Sequence, residues 1–235
     1  MGGAQFSPWI RVQLHFAGSG RKSLMTGVTS APFVFVVDDD LSVRASLRLL
    51  IGTVGLQVET FESTEQFLQR KLPEAPSCLV LDVRLHGASG LDFQRELAAR
   101  NIRIPIIFIT GYGDIPMSVR AMKGGAVEFL TKPFRDQDLL DAVRVALEKD
   151  SNRRDHEKEV TEIQQRFDSL SPREREVISM VVTGMLNKQI ADALGTAENT
   201  VKVHRSRAME KMRVQSLAGL VRAIEKLKGR APNTP

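Results

Sequence analysis

Cysteine is almost missing from this 235-residue chain: there is one, Cys78, inside an apolar stretch. An internal disulfide is therefore excluded, and a buried thiol in a reducing compartment is the expected role. Long hydrophobic runs are missing too. None approaches the ~18–20 residues that a membrane-spanning helix needs, so no membrane partner is expected. Acidic residues are absent from positions 1–32, which carry three basic side chains and much Gly and Ser. That segment also lacks the continuous apolar core, about 7–15 residues, of a cleavable signal peptide. Residues 1–32 are expected to form a disordered N-terminal extension. An alternative start at Met25 would leave residues 1–24 untranslated.

The charge that is present is divided. Residues 33–150 carry 14 basic and 17 acidic side chains, whereas residues 151–235 carry 16 basic and 11 acidic. An acidic part joined to a basic part suggests two domains with different partners, nucleic acid among them. The expected layout is a first domain over 33–150, a charged, partly helical linker over 151–168, a helical domain over 169–230 and a tail over 231–235.

Within the first domain, short apolar runs at Phe33–Val37, Leu56–Phe61, Cys78–Leu81, Ile106–Ile109 and Val127–Leu130 alternate with helical patterns. Val43, Leu47, Leu50, Ile51 and Val54 make one helix stripe, and Ser63 with Gln66 reads as a capping box. Five strands alternating with helices predict an α/β fold, a doubly wound five-stranded parallel sheet. Ligands of such sheets bind beyond the carboxyl ends of the strands. That rule brings Asp38, Asp39 and Asp40, after the first strand, to one rim with Asp82 and Thr110. Lys132 follows the fifth strand.

Three like charges at the lip of a buried strand are costly unless a positive partner is held there. Carboxylates from two strands suit a hard cation, and Mg²⁺ takes one or two of them together with waters and phosphate oxygens. The set also suits phosphoryl transfer, with one carboxylate as nucleophile and Lys and Thr binding phosphoryl oxygens. Asp82, alone on a central strand, is the expected nucleophile; Asp40 is expected merely to cap the next helix. A phosphatase of the haloacid-dehalogenase type would use Asp38 as nucleophile and Asp40 as acid/base. It would leave Asp82 without a role.

"VVDDD", "LVLDVRL", "IIFITGYGD" and "GAVEFLTKPF" together resemble the receiver domain of bacterial two-component response regulators over about half the chain (~120 residues, within the usual domain size). The resemblance implies that Asp82 accepts a phosphoryl group and that Asp39, Asp82 and the Arg84 carbonyl ligate Mg²⁺, with Asp38 acting through metal-bound water. It further implies that Thr110 is the switch hydroxyl, Phe129 the switch aromatic, and Lys132 the phosphate-binding lysine before a cis Pro133. The loop after Asp82, "RLHGASG", departs from the family's usual methionine-proline pair.

The basic block opens with Ser171, Pro172 and Glu174, a helix start by local rules, and the stripe Ile178, Val181, Val182, Met185 follows. A short helix ends at Gly195, Thr196 is expected to cap the next through Met212, and Leu217, Leu220, Val221, Ile224 and Leu227 mark a last one. Two short helices about a Gly-containing turn are a helix-turn-helix pattern. In the second, Val201, Ala208 and Met212 are expected inside and Lys202, Arg205 and Ser206 outside, as major-groove readout requires. "LSPREREV", "NKQIADALG" and "TVKVHRSRAMEKM" resemble the LuxR-type helix-turn-helix of the NarL/FixJ response regulators. By that resemblance Lys202, Val203 and Ser206 lie toward base edges, while Lys188, Thr200, His204 and Arg205 position phosphates. The last helix would pair with a second subunit.

Taken together these readings imply a cytoplasmic transcription regulator rather than an enzyme, one that promotes only its own phosphorylation and dephosphorylation. A sensor histidine kinase, promoter DNA, a second copy on phosphorylation and RNA polymerase are its expected partners. A constitutive DNA-binding protein whose first domain only dimerises is the rival reading.

Overall fold

The computed structural model describes residues 31–229. The extension expected over 1–32 lies, up to residue 30 and with Met25, outside the described residues, as does the tail from 231. The chain divides between Asn152 and Arg153 into two compact units.

In the first unit, β1 (Phe33–Val37), β2 (Gln57–Phe61), β3 (Ser77–Asp82), β6 (Ile106–Thr110) and β7 (Glu128–Thr131) form a parallel sheet in the order β2-β1-β3-β6-β7. A two-residue-strand hairpin, β4 (Arg84–Leu85) and β5 (Ala88–Ser89), sits in the loop after β3. The helices are α1 (Leu41–Thr53), α2 (Thr64–Leu68), α3 (Gly90–Ala99), α4 (Ile115–Lys123) and the first half of α5 (Asp136–Asp168), whose residues from Arg153 onward belong to the second unit.

Alternation along the strands creates two cores, since successive side chains point to opposite faces. Phe35, Val37, Leu79, Leu81 and Phe108 face Phe67, Leu91, Phe93, Leu97 and Ala121 of α2, α3 and α4. Val34, Val36, Cys78, Val80, Ile107 and Ile109 face Leu47 and Ile51 of α1 and Leu139, Val143 and Ala146 of α5. Cys78 is fully buried, and that burial pushes its thiol pKa up. Both faces are covered, so the central strands read as unbroken apolar runs.

Several expectations shift at the edges. Ser63 Oγ accepts the Gln66 N–H at 3.4 Å, but Gln66 Oε1 takes the N–H of Glu62, one residue earlier than a capping box requires. Residues 151–168 belong wholly to α5. No Gly or Pro interrupts that helix, and Arg153–Glu157 and Arg166–Glu162 pairs brace its exposed side.

The second unit contains α6 (Pro172–Val181), α7 (Asn187–Leu194), α8 (Glu198–Lys211) and α9 (Leu217–Lys228). Ser171 caps α6 with a reciprocal Glu174 bond. Val177, Ile178 and Val181 are its buried stripe; Val182 and Met185, past the helix end, are only half-buried. Gly195 takes φ 61° and turns the chain between α7 and α8, a conformation that carries no side-chain penalty in glycine. The turn draws the Thr196 N–H back to Ala191 O at 3.0 Å, so Thr196 closes α7 rather than capping α8. Ala197 is the N-cap, without a side-chain bond. Val201, Ala208 and Met212 are buried with Ile190, Ala191, Leu220 and Ala223. Leu217 stays outside, 39% exposed.

Candidate functional site

The sheet order puts the ends of β1 and β3 side by side, with β6 next to β3. Asp38 and Asp82 leave adjacent strands and are both buried; Asp39 follows, partly exposed. One oxygen from each of the three carboxylates can lie within 4.8 Å of the others. Lys132, past the end of β7 and before a cis Pro133, reaches across. Its Nζ donates to Asp38 Oδ2 at 2.8 Å and to Asp82 Oδ2 at 2.9 Å.

Each carboxylate is also held by its own loop. Asp38 Oδ1 accepts the Asp40 N–H at 2.8 Å, and Asp82 Oδ1 accepts the Arg84 N–H at 2.9 Å. Burial pushes the Asp38 carboxyl above its ordinary pKa, an effect that Lys132 and the Asp40 amide only partly offset. For Lys132 burial acts downward, yet hydrogen bonds and charge from Asp38 and Asp82 win and hold the ammonium above its usual range. Asp40 turns away as expected: its Oδ1 caps α1 through Ser42 N at 2.7 Å and Val43 N at 3.4 Å. Those amides depress its pKa. A carboxylate so engaged is not placed as the acid/base of a phosphatase.

Thr110 is buried at the end of β6, and its Oγ1 accepts the Tyr112 N–H at 3.2 Å. Phe129 on β7 is half-buried beside Phe108, ring centroids 6.3 Å apart. Gly90 begins α3 so close to β3 that a Cβ there would collide with the Asp82 carbonyl oxygen.

The sequence reading missed three contacts. Arg44 Nη1 donates to Asp38 O at 2.6 Å; His86, in the β4–β5 hairpin, contacts Asp39 Oδ2; and the Arg84 guanidinium lies 4.8 Å over the Tyr112 ring. His86 and Arg84 both lie in the loop that departs from the usual pattern, whereas nothing in the sequence marked Arg44.

On α8, Lys202, Ser206 and Thr200 are exposed, Val203 is 41% exposed, and His204 and Arg205 are half-buried. Lys188 is exposed on α7. Arg205 Nη1 donates to Asn187 Oδ1 at 2.9 Å, and Lys202 Nζ pairs with Glu198 Oε1 at 3.0 Å. Neither tether was foreseen, although the Glu198–Lys202 spacing of four is the usual helix-surface pair.

A carboxylate rim on a parallel α/β body, in one chain with a helix-turn-helix unit, is the plan of a two-domain signalling regulator. Comparison with known families agrees: residues 34–144 match the response regulator receiver domain, and residues 168–224 match the luxR family of bacterial regulatory proteins. Nodulation protein W of Bradyrhizobium diazoefficiens is 57% identical over 202 residues, covering 86% of this chain and 89% of that protein. The transcriptional regulatory protein FixJ of Azorhizobium caulinodans is 43% identical, covering 85% and 94%. A solved structure of the response regulator StyR, 51% identical, covers 84% of this chain and all of that one, with a TM-score of 0.76. The chain belongs to the response regulators of the NarL/FixJ subfamily, with a receiver domain and a LuxR-type DNA-binding domain. Such an assembly is a transcription regulator and not a conventional enzyme.

Proposed function

We propose that Asp82 accepts a phosphoryl group from a sensor histidine kinase and that this modification controls dimerisation and promoter binding. The observation that carries the proposal is the single ammonium shared by two buried carboxylates from adjacent strands. A lysine so placed can move its hydrogen bond from Asp82 to a phosphoryl oxygen arriving on Asp82 without losing Asp38.

In the transfer, an Asp82 oxygen bonds to phosphorus as the phosphorus–nitrogen bond of the donor phosphohistidine breaks. The bonding pair stays on the ring nitrogen, and a proton already on the ring or taken up as the bond breaks lets it leave as neutral imidazole. Asp38, Asp39 and Asp82, with the Arg84 carbonyl, fit a hard divalent cation such as Mg²⁺: all are oxygen donors, and three carboxylates converge against one lysine. Bound there, Mg²⁺ would neutralise charge on the phosphoryl oxygens. Lys132 compensates charge on the same oxygens. Thr110, buried beside the rim, swings from accepting the Tyr112 N–H to donate its hydroxyl proton to a phosphoryl oxygen, and Phe129 follows into the space that Thr110 leaves. These moves bias residues 111–135 between two arrangements, and only the phosphoryl group's unequal interaction with the two supplies the free energy.

In the second unit, Lys202, Val203 and Ser206 face base edges of the major groove; Lys188, Thr200, His204 and Arg205 position phosphates. The α9 helix pairs with a second copy. The protein acts in the cytoplasm, with RNA polymerase as a downstream partner.

The test is labelling of the full chain by acetyl phosphate and Mg²⁺, read as the fraction of retarded protein on a phosphate-binding gel. Wild type is expected to shift and Asp82→Asn to stay in place. Undiminished labelling of Asp82→Asn would move the acceptor elsewhere.

A further inference from the structure

The face of α8 assigned to DNA opens on a side chain of the wrong sign. Glu198 is the first residue of α8, and Lys202 and Ser206 follow at spacings of four, so the three share a helix face; Arg205 lies beside them. The Glu198 and Lys202 side chains are 46% and 57% exposed, yet their charged atoms pair at 3.0 Å. A carboxylate in this position repels phosphates, and it occupies the N-terminal turn, the part of a recognition helix that reaches base edges.

We infer that Glu198 is a specificity-determining residue, reading an exocyclic amino group in the major groove, cytosine N4, and suppressing binding elsewhere. The inference rests on α8 being the recognition helix. Two physical effects combine. In the free protein Glu198 holds Lys202 and partly cancels its attraction for any phosphate, which lowers sequence-independent affinity. At a site offering a cytosine amino group, Glu198 accepts its hydrogen bond, a pairing free of the acceptor N7 that flanks adenine's amino group, and Lys202 is released to a neighbouring acceptor such as guanine O6 or N7. At a site without that donor the carboxylate is desolvated against acceptors or phosphates, and binding is penalised. Asn187 does for Arg205 what Glu198 does for Lys202, but as a neutral partner it adds no repulsion.

A purely structural role is available to Glu198, and it predicts something different. Ala197 provides no side-chain cap, so an acid in the first turn of α8 also stabilises the helix against its dipole. Losing that support alone would weaken binding to every duplex alike.

The experiment uses the full chain treated with acetyl phosphate and Mg²⁺. A preferred duplex is selected from a random-sequence library with wild type, and affinities for it and for an unselected random duplex are then measured for Glu198→Gln, Glu198→Asp and Lys202→Ala. Glu198→Gln is expected to bind the random duplex about threefold more tightly, as loss of one repelling charge implies. Its preference for the selected duplex should fall at least about fivefold, with discrimination lost at one cytosine position. Glu198→Asp keeps the charge and should keep random binding low. Affinities of Glu198→Gln that are unchanged, or lower for both duplexes alike, would overturn the assignment while Lys202→Ala still loses binding. Wild-type affinity in Lys202→Ala would instead remove α8 from the interface and both readings with it.

Discussion

Lys132 links Asp38, which is wholly buried, to Asp82 on the neighbouring strand, so replacing it leaves two carboxylates without a cation in a poorly solvated rim. Lys132→Met should destabilise the receiver unit by ~3 kcal/mol at neutral pH. The urea midpoint reads this out, and adding Asp38→Asn should return most of the loss; a midpoint unchanged in Lys132→Met would mean that the bridge contributes nothing. Gly90→Ala tests the neighbouring contact. Because its Cβ would strike the backbone of Asp82, a loss of about 1–3 kcal/mol is expected, with slower labelling if Asp82 is the acceptor proposed above. At this scale the sequence was informative about residues that end strands, since Asp38, Asp82 and Thr110 are placed by the pleat and the strand order. It was silent about Arg44 on Asp38 and Arg84 on Tyr112. Those contacts depend on loop paths that no periodicity encodes.

Among the elements, α6 has the start most completely specified by local chemistry. Ser171 accepts the Glu174 N–H at 3.3 Å, Glu174 Oε2 accepts the Ser171 N–H at 2.8 Å, and Lys211 of α8 completes the set at 2.7 Å. Ser171→Ala should cost about 1 kcal/mol of stability in the second unit, measured by thermal or urea unfolding. Lys211, then the Ser171 amide, hold the Glu174 carboxyl below its ordinary range. A group depressed in the folded state stabilises above its unfolded pKa, about 4.3 for Glu, and that stabilisation is lost as pH falls through the folded value. Unfolding midpoints measured from pH 6 downward should therefore fall more steeply in wild type than in Glu174→Gln; parallel curves would show that the pair carries no linkage. The capping box was legible because its partners lie three residues apart. Lys211 was not, being thirty-seven positions away. The start of α8 was misread for a related reason: Thr196 has a capping side chain, but the left-handed Gly195 turn claims its backbone for α7.

At the scale of the molecule, the charge division anticipated two units, and the structure divides the chain within α5. The alternating pattern of strands and helices was enough for the doubly wound sheet, because the central strands β1, β3 and β6 bury both faces and the helices pack one face against them. The extent of α5 was harder to see: residues 151–168 are so polar that only Val160, Ile163 and Phe167, together with ion pairs at spacings of four, betray the helix. The central claim joins the units: phosphorylation of Asp82 raises affinity for DNA. Its most direct test is the affinity of the full chain for its selected duplex, with and without acetyl phosphate and Mg²⁺, beside Asp82→Asn under the same conditions. The account predicts a rise of about tenfold or more for wild type, a typical coupling, and none for Asp82→Asn. Equal affinity of wild type in both conditions, with Asp82 labelled, would contradict it.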